Sequence, residues 1–374
     1  MNKMTTRLGF RQHRFALAGT LLLAAVFSLK TERGAVADVR GDLATARASI
    51  TQAELMQAVA YLASDDLEGR EAGTSGGRRA GDWIADRFTE LGLTPAGTEG
   101  YFQPFGDGYR NVLAYLPGAD DQVADDIIVV SAHYDHVGYG TKRNTRDGPG
   151  KIHNGADDNA SGTSTVLELA EALKQLPSPP RRSYLFALWD AEEKGLLGSK
   201  HWVENATLPI ERVKLNVNVD MVGRLRDAKL YVFGTRTAAG LRSLAARANR
   251  DNALELLFSW RFRRDSDHYA FCRHGTPALL FHTGLHDDYH AATDDAEKIN
   301  AAGMETIGRM LFDVLIELDT ADALPEYRPA AEKESDAVFK SLVEAPGRWR
   351  GRLKVRVKPD GGNGVIVVGT DPES

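Results

Sequence analysis

Four apolar segments of this 374-residue sequence lead directly into histidine or acidic residues. His133 follows 127–132, Glu192 and Glu193 follow 183–189, Asp220 follows 215–219, and His290 ends the loop that begins after 277–281. Ligands bind outside the carboxyl ends of the strands in open α/β sheets, so we expect these side chains to meet at one sheet edge. Imidazole nitrogen and carboxylate oxygen are donors that suit zinc. The pattern therefore predicts a metal site.

A further group of candidate ligands lies in the segment Gly155 to Gly162, which reads GADDNASG and precedes a helical pattern. Clusters of Asp, Asn and Ser are also typical of a helix N-cap, which is the alternative interpretation. One carboxylate from this segment, added to His133, Glu193, Asp220 and His290, gives five candidate ligands. Three of the five are carboxylates. One tetrahedral zinc ion needs fewer, so we expect a carboxylate shared between two zinc ions.

The adjacent acids Glu192 and Glu193 suit metal-assisted hydrolysis. Neighbouring residues that leave a strand point in different directions, so one carboxylate can bind metal while the other takes a proton from water. A surface acidic pair favoured by a helix dipole is the alternative interpretation. Asp135, two residues after His133, is expected to orient that imidazole by accepting its second N–H group.

Three further positions belong to the candidate site. His136 competes with the other histidines as a metal ligand. The hydroxyl of Tyr289, beside His290, can donate to a developing oxyanion, and packing alone is the alternative role. We assign Asp267 and His268 a structural rather than a catalytic role.

Segments typical of strands and helices alternate between about residues 51 and 318. Apolar and β-branched runs predict strands, and capping residues before amphipathic patterns predict helices. The expected strands are 127–132, 183–189, 214–219, 229–233 and 277–282, and the expected helices are 51–64, 76–91, 161–176, 237–250 and 296–318. This alternation predicts an α/β fold, a three-layer sandwich with a mostly parallel central sheet.

Residues 1–37 have the features of a secretory signal peptide. Basic residues precede the apolar run Phe15 to Leu29, and Ala35-Val36-Ala37 is a small-residue cleavage pattern before Asp38. The run is shorter than the ~20 residues that a spanning helix needs, and an uncleaved anchor is the alternative. We expect an exported protein, periplasmic or secreted, without stable membrane association after cleavage.

The charge of the chain favours neither a nucleic acid nor an anionic membrane as partner. The net charge is −6, and removal of residues 1–37 leaves 40 basic and 51 acidic residues, a net charge of −11. The single cysteine, Cys272, excludes an intramolecular disulfide and is expected in the core. The sequence leaves the oligomeric state open.

Five motifs occur in order along the chain: AHYDHVG, GADDNASG, WDAEEKGLLGSK, NVDMVG and DDYH. Together they resemble the secreted di-zinc aminopeptidase family, the leucine aminopeptidase and aminopeptidase Y type of metallopeptidase. The resemblance covers roughly residues 51–318. It implies the zinc-exopeptidase fold, of the phosphorylase/hydrolase-like type.

The resemblance also implies a role for each candidate residue. His133 and Asp220 would bind one Zn²⁺, Glu193 and His290 would bind a second, Asp158 would bridge the two, Asp135 would orient His133, and Glu192 would be the general acid/base. The family binds the free α-amine of its substrate near one metal. The implied activity is therefore release of N-terminal amino acids from peptides with a free N-terminus.

The composition changes after about residue 325. Glu326 to Glu344 is polar and charged, and two short alternating segments, 353–357 and 365–368, flank a Gly-rich turn. We divide the chain into a signal peptide (1–37), a di-zinc peptidase domain (38–325) and a tail (326–374). The tail is either a linker with an incomplete PDZ-like β module or a disordered segment.

Other activities are compatible with parts of the pattern. Relatives of the same superfamily remove C-terminal residues or cyclise N-terminal glutamine with one zinc ion, and the full ligand set argues against the cyclase. A carboxypeptidase-like amide hydrolase stays open. An inactive receptor-like protein on the same fold would have lost ligands or the base, and a structural zinc site is typically closed and built from Cys and His.

Overall fold

The central sheet is parallel in its middle and joins antiparallel strands on both sides. The computed structural model describes residues 43–334, 355–359 and 365–370. Within these residues the sheet has nine strands: β1 (Thr94–Pro95), β2 (Phe102–Phe105), β3 (Tyr109–Leu116), β4 (Ile127–His133), β5 (Ser183–Trp189), β6 (Val213–Val219), β7 (Lys229–Phe233), β8 (Glu255–Phe258) and β9 (Ala278–His282). Their order is β1-β3-β5-β4-β6-β9-β7-β8, with β2 paired to β3.

The middle strands β5, β4, β6 and β9 are mutually parallel. On either side, β3 runs antiparallel to β5 and β7 runs antiparallel to β9. Every residue of β4, β5 and β9 is buried. Strands covered on both faces have continuous apolar sequences, which is why these segments were visible in the sequence.

Helices cover both faces of the sheet. In the described part of the chain they are α1 (Gln52–Leu62), α2 (Ser75–Glu90), α3 (Gly162–Lys174), α4 (Leu197–Glu204), α5 (Leu241–Ala248), α6 (His268–His274) and α7 (Ala301–Thr320), and residues 43–48 are also helical. Helices α1, α2, α3, α5 and α7 share one hydrophobic core with the sheet. Helices α4 and α6 share the core on the opposite face.

Alternate residues of β4 divide between these two cores. Ile128 and Val130 belong to the first core, whereas Ile127 and Val129 belong to the second. Successive side chains of a strand point to opposite faces, so this division defines three layers. The predicted three-layer α/β sandwich is confirmed. Cys272 is buried in the second core, as expected.

Two predicted helices begin later than expected because glycine and asparagine cap them. The helix predicted at 237–250 begins at Leu241, because Gly240 before it adopts φ 85°. The helix predicted at 296–318 begins at Ala301, where the side chain of Asn300 accepts the N–H of Gly303. Such side-chain acceptors satisfy the free N–H groups of a first turn.

Strand β3 and helices α4 and α6 were not predicted. Polar residues begin β3, and its buried Asn111 is satisfied by tertiary partners, Gln103 and the carbonyl of Gly198. Helices α4 and α6 have eight and seven residues. Helices this short show too few turns for a clear apolar period and depend on packing for their stability.

The C-terminal part contains a small antiparallel hairpin. Strands β10 (Val355–Pro359) and β11 (Val365–Thr370) pair with each other, close to the two segments predicted as strands. Before the hairpin, Glu334 accepts two hydrogen bonds from Arg236, at 2.6 and 2.8 Å. The predicted signal peptide, 1–37, and residues 335–354 lie outside the described residues.

Within the described residues, the structure contains no helix that is both long and apolar enough to cross a membrane.

One buried carboxyl group is not among the residues of the candidate site. Glu168 on α3 is 5% exposed, and its Oε2 has no hydrogen-bond partner among the described residues. It lines a cavity of about 120 Å³, together with Glu54 and Glu171. Burial, reinforced by the charges of those two residues, raises the pKa of Glu168 from 4.5 to about 8. The folded protein therefore keeps this carboxyl protonated near neutral pH.

Glu168→Gln should stabilise the protein at pH 8 and have little effect at pH 5. Because the pKa is raised on folding, the contribution of Glu168 to stability is present below pH 4.5 and is lost as pH rises through about 8. We expect the melting temperature of the variant to exceed that of the parent by about 3–6 °C at pH 8. Thermal unfolding at both pH values measures this difference, with the exposed Glu99→Gln as control. Equal melting temperatures at pH 8 would contradict the burial argument.

Candidate metal centre

The polar residues predicted from the strand ends meet at the carboxyl edge of the parallel strands. His133 is the last residue of β4, Glu192 and Glu193 follow β5, and Asp220 follows β6 directly. Asp158 lies in the irregular helical turn Ala156–Ser161 that precedes α3. His290 lies in the loop after β9, with φ 54°. Parallel strands thus deliver side chains that are distant in sequence to one place.

A first group of possible ligands consists of His133, Asp158 and Asp220, all of them buried. The Nε2 atom of His133 lies 3.3 Å from Oδ1 of Asp158 and 3.7 Å from Oδ1 of Asp220. The hydroxyl of Ser266 donates to Oδ2 of Asp220 at 2.6 Å. One oxygen of Asp220 is therefore fixed by the protein, and the other faces the group.

A second group surrounds the other oxygen of Asp158. The Nε2 atom of His290 lies 3.1 Å from Oδ2 of Asp158 and 3.2 Å from Oε2 of Glu193. His136 forms a second possible metal-binding group with Asp158 and Glu193, and its Nδ1 lies 2.9 Å from Oε1 of Glu193 and 3.9 Å from Oδ2 of Asp158. Asp158 thus presents one oxygen to each group, as a bridging carboxylate must. The structure brings together all five residues predicted as ligands, and His136 as well.

Glu192 lies beside both groups without belonging to either. Its Oε2 is 4.0 Å from Nε2 of His133. Burial raises the pKa of Glu192 well above its ordinary value; the nearby His133 works against this shift, and the charge of Glu193 adds to it. A buried carboxyl with a raised pKa beside a ligand cluster is suited to proton transfer.

Asp135 supports the site in a way that differs in part from the prediction. The nearest acceptor to Nδ1 of His133 is the backbone carbonyl of Asp135, at 3.2 Å, whereas its carboxylate oxygen Oδ1 lies at 3.6 Å. The carboxylate accepts the backbone N–H groups of Glu192, at 3.0 Å, and Glu193, at 3.3 Å. Asp135 therefore links the loop after β4 to the acidic pair after β5.

Arg70 was not predicted, and it connects three parts of the backbone around the site. It is fully buried and donates to the carbonyls of Tyr134, Leu62, Asn154, Gly155 and Asp158. The planar guanidinium carries five N–H groups in a rigid fork, so one side chain can serve several carbonyls. Only the charged stretch EGRE around Arg70 could have drawn attention to it, and nothing there predicts partners about 64–88 residues away.

Acidic residues hold the turn that carries Asp158. A carboxylate oxygen of Asp294 accepts the backbone N–H groups of Asp157 and Asp158, at 3.0 and 3.1 Å. Asp157 in turn accepts the N–H of Gly223 and lies 2.9 Å from Nε2 of His286. These contacts were not predicted from the sequence. The position of Asp158 therefore depends on several loops.

The loop 139–151 covers the second group. Nδ1 of His290 lies 2.9 Å from the carbonyl oxygen of Asn144, which leaves Nε2 to face the carboxylates. The ring of Tyr289 stacks on the His290 ring with centroids 4.0 Å apart. This stacking places Tyr289 beside the cluster, and its role as an oxyanion donor stays a prediction.

Asp267 and His268 are fully buried at the start of α6. Burial raises the pKa of Asp267 to about 7, and its charge contributes to the raised pKa of Glu192. Neither residue belongs to the two groups of possible ligands found in the described residues. Their structural assignment stays a prediction.

The donor atoms fit a pair of metal ions. Each group offers imidazole nitrogen and carboxylate oxygen within 4.8 Å of one another, and Asp158 belongs to both. Nitrogen and oxygen donors without thiolate suit zinc and related divalent ions. A buried carboxyl beside such a cluster, on the ligand-binding edge of an α/β sheet, defines the class of metal-dependent hydrolases.

Comparison with known proteins identifies the family. The model of peptidase family M28 matches residues 111–315, more than half of the chain. The chain belongs to peptidase family M28. The resemblance to an aminopeptidase family seen in the sequence motifs is confirmed by this match and by the relatives described next.

Relatives with known names are aminopeptidases and a related enzyme. Aminopeptidase YwaD of Bacillus subtilis (strain 168) is 30% identical over 213 residues, which cover 54% of this chain and 43% of that protein. Leupeptin-inactivating enzyme 1 of Streptomyces exfoliatus is 30% identical over 213 residues, covering 56% of this chain and 43% of that protein. The chain therefore spans less than half the length of these relatives.

Solved structures show the same fold. The LapA aminopeptidase of Legionella pneumophila superposes with a TM-score of 0.62 at 22% identity, over 75% of each chain. BSAP, a zinc aminopeptidase from Bacillus subtilis, superposes with a TM-score of 0.58 at 18% identity, over 75% of this chain and 98% of that one. At such identities the likeness establishes the fold alone.

Arg70→Lys should weaken metal binding while the protein stays folded. Lysine lacks the planar fork and serves fewer of the carbonyls around Asp158, so the turn loses support. Residues that orient metal ligands typically contribute 10–100-fold in affinity, and we expect a loss of about that size for zinc. Titration of the metal-free protein with Zn²⁺ against a chromophoric chelator measures it.

Arg182→Lys is the matched control for this prediction. Arg182 is also fully buried and donates to the carbonyls of Leu318 and Asp319, at the opposite end of β5 from the site. Its variant should lose stability but bind zinc as the parent does. Equal losses of zinc affinity in the two variants would show that Arg70 acts only through general stability.

Proposed function

We propose that this chain is a metallo-aminopeptidase that uses two Zn²⁺ ions to release N-terminal amino acids from peptides. The observation that carries the proposal is the position of Asp158, with one oxygen toward His133 and the other toward His290. In this proposal His133 and Asp220 bind one ion, Glu193 and His290 bind the second, and Asp158 bridges them. The names of the relatives, aminopeptidases in several cases, support the substrate class.

Two zinc ions held by these residues would supply Lewis acidity, making a water molecule more acidic and polarising the carbonyl of the scissile bond. Glu192 then takes the proton of the attacking water and passes it to the leaving amine. Its position outside both ligand groups leaves its oxygens free of metal, and the raised pKa strengthens its carboxylate as a proton acceptor. Asp135 holds Glu192 in place through its backbone N–H.

The surroundings of the cluster assist two further steps in this proposal. The hydroxyl of Tyr289, whose ring is stacked on His290, donates to the oxyanion that develops on the carbonyl. The acidic side chains around the cluster attract the positive α-amine of a peptide with a free N-terminus. An N-acetylated peptide lacks that charge and should be excluded.

The activity can be tested with aminoacyl-anilides and their N-acetylated counterparts. We expect the free-amine substrates to be cleaved, the acetylated ones to be inert, and activity to disappear with a chelator and return with Zn²⁺. Cleavage of N-blocked peptides from their C-terminus would instead establish the carboxypeptidase-like alternative. No cleavage by a protein that binds two zinc ions would contradict the proposed substrate class.

In the same assay, Glu192→Gln should lower kcat by about 10²–10⁴-fold, the usual contribution of a positioned acid/base. Its zinc content should equal that of the parent, because Glu192 is not among the proposed ligands. The exposed Glu204→Gln on α4 serves as the control and should retain full activity. A variant that loses zinc together with activity would make Glu192 a ligand rather than the base.

We also propose that the protein is exported and that residues 1–37 are its cleaved signal peptide, followed by the peptidase domain, 38–325, and the tail, 326–374. The charged start, apolar run and small-residue cleavage pattern support this organisation. Protein recovered from the periplasm or medium of a bacterial host should begin at Asp38, as N-terminal sequencing would show. A membrane fraction that retains Met1 would support the alternative, an uncleaved anchor.

A further inference from the structure

His136 is a buried histidine whose place in the cluster differs from that of His290. Its side chain is 0% exposed, whereas the side chain of His290 is 17% exposed. The two rings meet edge to face with centroids 5.6 Å apart. Each faces a different oxygen of Glu193: His290 faces Oε2 at 3.2 Å, and His136 faces Oε1 at 2.9 Å.

The distances from the ring nitrogens to the neighbouring carboxylates distinguish the two histidines. Metal–ligand bonds of 2.0–2.1 Å in a tetrahedron place donor atoms about 3.3 Å apart. Nε2 of His290 meets this spacing toward both carboxylates, at 3.1 and 3.2 Å. Nδ1 of His136 also lies near both carboxylates, but its distances are unequal: 3.9 Å to Asp158 and 2.9 Å to Oε1 of Glu193, which is not the oxygen nearest to His290.

The hydrogen-bonding state of the His136 ring follows from its surroundings. Nε2 is buried and has no hydrogen-bond partner among the described residues. A neutral imidazole carries one N–H group, and a buried N–H without an acceptor is rarer and costlier than a buried acceptor without a donor. The proton therefore sits on Nδ1, where it donates to Oε1 of Glu193.

The ring is held in this position by two neighbouring segments. Gly155 adopts φ 56°, and a Cβ atom at that position would lie 2.5 Å from Cγ and Cδ2 of His136. The ring thus packs directly on the turn that carries Asp158. The backbone N–H of His136 also donates to the carbonyl of Arg70, at 3.3 Å. His136 therefore links the Asp158 turn to Glu193.

We infer that His136 is a positioning residue, whose Nδ1–H holds Oε1 of Glu193 so that only Oε2 is left to bind the second metal ion. This inference rests on the metal centre of the proposed function. Acceptor oxygens of ligating carboxylates are commonly held by such neighbours, and the loss of one lowers metal affinity. The role is distinct from that of His290, which binds the ion itself.

The test compares three variants of the full chain, titrated in the metal-free state with Zn²⁺ against a competing chelator. His136→Leu removes the donor and should weaken one of the two zinc equivalents by about 10–100-fold, leaving the other unchanged. His136→Asn places an amide N–H near the position of Nδ1 and should bind both equivalents within about threefold of the parent. His136→Gln places its amide farther out, near the position of Nε2, and should behave like His136→Leu.

Two controls exclude a general effect. His201→Leu removes a histidine of α4 whose ring stacks on Phe105 with centroids 4.8 Å apart, and it should bind zinc as the parent does. The visible absorption of the Co²⁺-loaded protein reports on the ligands themselves. It should be the same in His136→Asn and in the parent, because no ligand has changed.

Two results would overturn the inference. Parental zinc affinity in His136→Leu, or in His136→Gln where the leucine variant fails to fold, would show that the hydrogen bond does not support the site. Weak binding by His136→Asn with altered Co²⁺ absorption would make His136 a ligand. If the parent itself bound no zinc, both the proposed metal centre and this inference would be wrong. If the parent bound two equivalents and the substitutions of His136 did not change their affinity, only the inference would be wrong.

Discussion

The concentration of negative charge at one buried sheet edge is the constraint on which the rest of the site depends. Asp158 presents oxygen atoms within 4.8 Å of those of Asp220 on one side and of Glu193 on the other, and Glu192 lies beside them. Two unit charges 4 Å apart interact by about 4 kcal/mol at an effective dielectric constant of 20. Several such repulsions exceed what a few hydrogen bonds offset, so positive charge has to be supplied. The imidazoles of His133, His136 and His290 lie beside these carboxylates, and bound metal ions would add further positive charge.

The protein meets this constraint by fixing the backbone that carries the carboxylates. Asp135 accepts the N–H groups of Glu192 and Glu193, and Asp294 accepts those of Asp157 and Asp158. Arg70 donates hydrogen bonds to the carbonyls of Gly155 and Asp158 in the same turn. Acids that would repel one another in flexible loops are thus held at separations that suit metal binding. This is why residues that never touch the metal are expected to govern its affinity.

Much of the fold and most of the candidate site could be predicted from the sequence because their signals are local. Strands β4, β5 and β9 are buried on both faces, so their sequences are continuously apolar, and each leads into the residues of the site. Strand β3 gave no such signal, because its polar residue Asn111 is satisfied by partners elsewhere in the fold. Helices α4 and α6 gave none because they are too short to show a clear apolar period. Helices α5 and α7 begin later than predicted, because capping residues decide where a helix begins.

The sequence by itself determined the types of the ligands, their order along the chain and the layered architecture that brings strand ends together. The tertiary structure decided which oxygen of each carboxylate faces which imidazole. His136 shows the difference: its position next to Asp135 made it a candidate ligand, but only the fold places its ring against Gly155 and Oε1 of Glu193. Such choices depend on contacts between segments tens of residues apart, which no local pattern in the sequence records.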